Sequence, residues 1–180
     1  KKFLIYIPIT SVYAFIGTGL MFHQLFIFTE KNWTIEMLGT GFVFLGGFSI
    51  IGLLFGGPLI DILNPRKAIL FVLLPVFLAL LILLNFQSFF SLIIYMSLCG
   101  FNLGISAPFS GSLWAELFGL ESLGTVKALF HAIVVLASAL SPLIFGYIID
   151  LGFGVGMISF ISLTMIIVAT ILPIVIKTNE

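Results

Sequence analysis

The sequence predicts an all-α integral membrane protein of six transmembrane helices. Three observations predict it: an apolar composition, long charge-free runs, and basic residues gathered on one side. Of 180 residues, 61% are hydrophobic and 8% are charged, whereas about a quarter of a soluble domain is charged. A water-soluble fold would have to expose far too much of this apolar surface, so the bilayer is the solvent that fits. Seven basic and seven acidic residues leave no net charge. With no basic patch to neutralise phosphates, nucleic acid is excluded as a partner. The one cysteine, Cys99, lies in an apolar run and reads as a small buried residue that cannot form an internal disulfide.

The charge-free runs place the spans, in a single six-helix bundle over 1–180, at about 3–29, 37–60, 68–84, 89–114, 126–150 and 155–176. Each is long enough for the ~20 residues that cross ~30 Å of hydrocarbon. The first run follows Lys1-Lys2 as a signal peptide would. It continues to Thr29, however, and Gly17-Thr18-Gly19 is no clear cleavage site, so it reads as a helix that stays. Ala68–Ala115 is 48 residues without charge, too long for one helix, and the polar cluster Asn85-Phe86-Gln87-Ser88 splits it. Apolar continuity excludes a barrel, whose strands would alternate.

An even number of spans puts both termini on one side. That side carries Lys1, Lys2, Arg66, Lys67, Lys127 and Lys177, and the other carries Lys31 alone. The bias makes both termini cytoplasmic. Trp114–Lys127 is then the longest internal connection and Asp61–Lys67 the other, while Glu30–Glu36 lies outside. Trp33 and Trp114 fall at expected interfaces, where tryptophan is favoured.

An internal repeat is legible. The second span ends Gly57-x-x-x-Asp61 and the fifth ends Gly146-x-x-x-Asp150. These spans hold the same place in two three-helix units, and because three is odd the second unit is inverted. Inverted repeats are one way to build secondary transporters. An aspartate at a helix C-terminus opposes the macrodipole. Asp61 is therefore expected to meet Arg66, Lys67 or the N-terminal end of the fifth span, as a latch that breaks in another conformation. Gly52/Gly56 and Gly100/Gly104 are G-x-x-x-G pairs expected to serve close helix packing.

These features together resemble the major facilitator superfamily, built of two six-helix halves, each of two inverted three-helix repeats. Gly57-x-x-x-Asp61 with Arg66-Lys67 resembles the signature loop between its helices 8 and 9. Ile62 stands where the family has a basic residue, and Pro65 where it has a glycine. Glu116-Leu117-Phe118-Gly119, Leu123-Gly124-Thr125 and Ser141-Pro142-Leu143-Ile144-Phe145-Gly146 through Asp150 resemble helices 10–11 of monocarboxylate- and oxalate/formate-type members. The resemblance implies a C-terminal half, with helices 1–6 missing and Lys1-Lys2 at the end of a linker. It also implies a gating set of Gly57, Asp61, Arg66, Lys67, Glu116 and Asp150.

In this superfamily the first, second, fourth and fifth helices of each half line the cavity, and polar residues within spans tend to face such cavities. The substrate-binding or proton-coupling candidates are Tyr13, His23 and Gln24 on the first span, Asn102 and Ser106 on the fourth, and His131 and Ser138 on the fifth. Asn102 and Ser106 share a face at four-residue spacing, and His131 and Ser138 lie two turns apart. His131 has a side chain that titrates near neutrality, suited to binding an anion when protonated or to carrying the coupling proton. Organic-anion members carry a cavity arginine on the eighth helix. Met37–Ile60 has no basic residue, so the cation comes from the other half or the substrate is not an anion.

The function expected is ion-coupled alternating-access transport of a small solute, by symport with a proton or sodium ion, in a bacterial inner membrane. The alternatives are a homodimeric half-transporter, an intramembrane serine protease built on Ser110 and His131, and a channel using Asn64-Pro65. Pro108 replaces the first glycine of the protease motif, and the Asn-Pro pair has no second copy. No catalytic, metal-binding or nucleotide motif is present, and no cofactor is expected.

Overall fold

The computed structural model describes residues 2–177, without the side chains of Lys2, Arg66, Leu70 and Lys177. The linker role of Lys1-Lys2 and the gating role of Arg66 lie outside the described residues. Eight helices follow in order: α1 (Lys2–Phe22), α2 (Gln24–Glu30), α3 (Ile35–Leu63), α4 (Pro65–Val72), α5 (Leu74–Asn85), α6 (Phe89–Phe118), α7 (Leu123–Asp150) and α8 (Val155–Lys177). They supply six segments long and apolar enough to cross a membrane. α1 alone supplies the first, over Phe3–Phe22, with α2 following beyond His23, and α4 with α5 supplies the third, over Lys67–Asn85.

Two spans thus contain interruptions where continuous helix was expected. Pro75 causes the one at Leu73: its ring crowds the preceding turn and it has no N–H to donate. At His23 the imidazole Nδ1 lies 2.9 Å from the Gly19 carbonyl, which also accepts the His23 backbone N–H. A side chain sharing a helical carbonyl in this way loosens the turn.

The connections are shorter than the charges suggested. α6 continues past Trp114 and Glu116 to Phe118, so the internal connection to α7 is only 119–122, turned by Gly119 at φ 75°. Likewise Asn64, at φ 63°, is the whole connection between α3 and α4. Both tryptophans are buried within the bundle. Trp114 packs on Phe3, Phe118 and Phe130, closing the end of the bundle where α6 finishes. Trp33 stacks on Tyr95 and donates its indole N–H to the Gln87 carbonyl at 2.8 Å.

α3 packs along α6, and α1 along α7. α4 and α5 lie against α6, α8 lies against α1, and α5 meets α8. Exchanging the first three spans with the last three maps this set of contacts onto itself. The bundle is therefore two inverted three-helix repeats.

Glycines allow the close approach in the paired helices. A Cβ at Gly100 or Gly104 of α6 would run into the carbonyl of Leu45 or Ser49 of α3, and one at Gly52 into that of Phe101. In α1, a Cβ at Gly19 would meet Ser141 and Phe145 of α7, and the Ser141 hydroxyl donates to the Phe15 carbonyl.

The end of the bundle opposite the termini is tied across the repeats. Val155, at the start of α8, donates its N–H to Glu30 Oε2 at 2.7 Å. Gly154 leaves room for that carboxylate, which a side chain there would strike. A carboxylate suits the positive end of a helix. Beside it Lys31 is 7% exposed. Burial pushes its ammonium below the ordinary value of 10.5, and Glu30 opposes the shift. A lowered lysine pKa means the charge costs stability at neutral pH, a cost that fades as pH rises towards the unfolded value. Lys31→Met should therefore raise the thermal unfolding midpoint at pH 7, with the gain shrinking as pH climbs towards 10.5. A gain that grows with pH would contradict this account.

Candidate functional site

A cavity of about 480 Å³ opens between α1, α3, α5, α6 and α7. Tyr13, Gly17 and Thr18 come from α1, Leu45 from α3, Cys99 and Asn102 from α6, and Val134 and Ser138 from α7. This size falls within the range of small-molecule sites, ~300–1,000 Å³.

Among the sequence candidates the structure brings Tyr13, Asn102 and Ser138 to the cavity wall. Ser106 stands behind them, hydrogen-bonded to Tyr13 and donating to the Asn102 carbonyl at 2.6 Å. Asn102 is fully buried. Its Nδ2 donates to the Val72 carbonyl at 2.5 Å, at the break between α4 and α5, and its Oδ1 has no partner. The amide orientation follows from the acceptor: turning it over would set two oxygens against each other. Asn102 thus joins the cavity wall to the kink that Pro75 makes.

The other candidates stand apart from the cavity. Gln24 is buried nearer the end opposite the termini, where its Nε2 donates to the Tyr95 hydroxyl at 3.0 Å. His23 packs between α1 and α7 with its Nε2 facing Gly146. His131 is exposed on α7, with its ring against Phe130.

Of the gating candidates, Gly57 and Asp61 are exposed on the last turns of α3, and a Cβ at Gly57 would meet nothing. Asp61 forms no ion pair among the described residues, and Lys67 is exposed at the start of α4. Glu116 is half-buried near the end of α6, and Asp150 is exposed at the end of α7. These side chains sit at helix ends, away from the cavity.

Sequence reasoning missed Lys127 and Cys99. Lys127 is half-buried, with Nζ 3.7 Å from where a Cβ of Gly111 would lie. Lys127, His131, Val134 and Ser138 follow one another at four, three and four residues, which places them on one face of α7. That spacing was available as a signal, but Lys127 had been used only for orientation. Cys99, expected to be a plain core residue, lines the cavity.

Residues 4–180 match the Major Facilitator Superfamily. The chain belongs to this family of membrane transporters, and it is a multi-pass membrane protein. A comparison with curated proteins found no match. At the level of the family, the protein is a carrier of small solutes and not an enzyme, which disfavours the protease reading of Ser110 and His131.

Proposed function

We propose that the chain forms one half of an ion-coupled carrier that moves a small organic anion, such as a monocarboxylate, by alternating access against a second six-helix bundle. The observation that carries this reading is the cavity walled by the first, second, fourth and fifth spans, with Val76 of the third. Support for the second bundle comes from α3 and α7, which bury only three residues each within this chain: Gly41, Gly52 and Gly56 of α3, and Phe130, Ser141 and Phe145 of α7. Both helices border the cavity, so a partner covering them also closes it.

Support for an anion comes from the face of α7 that carries His131 and Lys127 next to the cavity residues. Protonated His131 attracts the anion, or hands on the coupling proton. In this reading both termini face the cytoplasm of a bacterial inner membrane.

The test is uptake of labelled monocarboxylate by proteoliposomes under an imposed proton or sodium gradient. Accumulation driven by one gradient and abolished when it is collapsed is the expected result. His131→Ala should lower proton-driven accumulation by about tenfold or more, within the range for losing a positioned acid–base group, and leave counterflow exchange intact. Accumulation indifferent to both gradients would refute ion coupling.

A further inference from the structure

We infer that the solute fitting this cavity is amphipathic, with an apolar body and a single polar end, and is not a short hydroxy acid, a dicarboxylate or a sugar. The inference rests on the reading of the cavity as the transport site and narrows its substrate class. Apolar side chains, Leu45, Val76, Leu103, Val134 and Met21 among them, make most of the wall, and no lining residue is charged.

The polar groups on the wall are nearly all committed. Tyr13 is bonded to Ser106, Asn102 Nδ2 donates to Val72, and the Cys99 sulfur accepts from the Tyr95 hydroxyl. Ser138 donates to the Val135 carbonyl at 2.9 Å. Thr18 differs. Thr10 and Ser11 of the same helix bond back to carbonyls one turn earlier, but the Thr18 hydroxyl has no such bond among the described residues.

A solute entering this space therefore finds Thr18 as the hydroxyl whose proton is not already bonded, while Asn102 Oδ1 is buried behind the wall. A sugar or dicarboxylate would give up many bonds to water and recover few of them, which selects against it. An apolar body gains from leaving water, and its single polar end finds Thr18.

The test uses the full protein in lipid nanodiscs and labelled phenylbutanoate, with oxalate, lactate and glucose as competitors. Saturable phenylbutanoate binding that a large excess of these competitors leaves in place is expected. Gly17 borders the cavity, and a Cβ there touches only the Tyr13 ring. Gly17→Leu and Val134→Trp, which fill the space from α1 and α7, should each weaken binding about tenfold or more and keep the wild-type unfolding midpoint. Thr18→Val should cost about fivefold, the loss of one ordinary hydrogen bond.

Displacement by oxalate, lactate or glucose, absence of saturable binding, or binding indifferent to both filling variants overturns the inference. Proteoliposome uptake separates the two readings. Binding that never becomes uptake retires the carrier and keeps the ligand class. Uptake of a short acid without phenylbutanoate binding does the opposite.

Discussion

Gly104→Leu is expected to leave no folded bundle. A side chain at position 104 would have to occupy the space of the Ser49 carbonyl and the Leu53 nitrogen of α3. These are backbone atoms, and no rotamer change moves them aside. Overpacking a core ordinarily costs ~1–3 kcal/mol because neighbours can shift. Here the two helices have to separate, and with them goes the tightest packing in the chain. Gly100→Leu should behave alike, since its side chain would enter the Leu45 carbonyl. Gly46 and Gly47 of α3 provide the control, because a Cβ at either meets nothing. Gly46→Ala and Gly47→Ala should keep a monodisperse protein with an unchanged melting curve. A Gly104→Leu protein that melts like the wild type would show that α3 and α6 are not in contact.

The second large effect is expected at Asn102. Pro75 interrupts the third span at Leu73, and Asn102 Nδ2 takes the Val72 carbonyl at that interruption. Asn102→Leu leaves a buried acceptor without a donor, a loss of about 1–3 kcal/mol. The interrupted span then loses this polar brace from α6. Thermal or denaturant unfolding of Asn102→Leu, Pro75→Ala and the double variant would measure the link. Pro75→Ala restores an N–H and lets the helix run on, so Asn102→Leu should cost less in that background. Equal costs in both backgrounds would mean that Asn102 does not serve the break.

What the sequence disclosed followed from what charge and polarity can mark. Charge-free runs separated by Glu30–Glu36, Asp61–Lys67 and Asp150 located the spans, because the bilayer penalises charge at its centre. Glu116 misled for the same reason. It suggested that the fourth span ends near Trp114, yet the helix runs on to Phe118 and stops where Gly119 turns it. Pro75 gave no charge signal at all, so the interruption beside it was not foreseen. The small-residue pairs in α3 and α6 were legible as packing, but which backbone atom each glycine admits needed the partner helix.

In the site, Asn102 and Ser106 were legible by their spacing on one face. That Asn102 reaches another span, and that His23 and Gln24 stand away from the cavity, depended on how α1 lies against α6 and α7. No spacing within one helix encodes that. Lys127 shows a different loss: a residue already used for one inference was not asked about a second.

The tie between Glu30 and the start of α8 bears on the order in which the molecule is made. Its two ends are 125 residues apart, and a ribosome delivers the carboxylate long before the amide that it holds. Through the insertion of the second to fifth spans, that carboxylate faces water and has no helix end to sit on. That rim therefore closes last, when the final hairpin arrives. A chain stopped short of α8 lacks this seam even where its earlier helices have found one another.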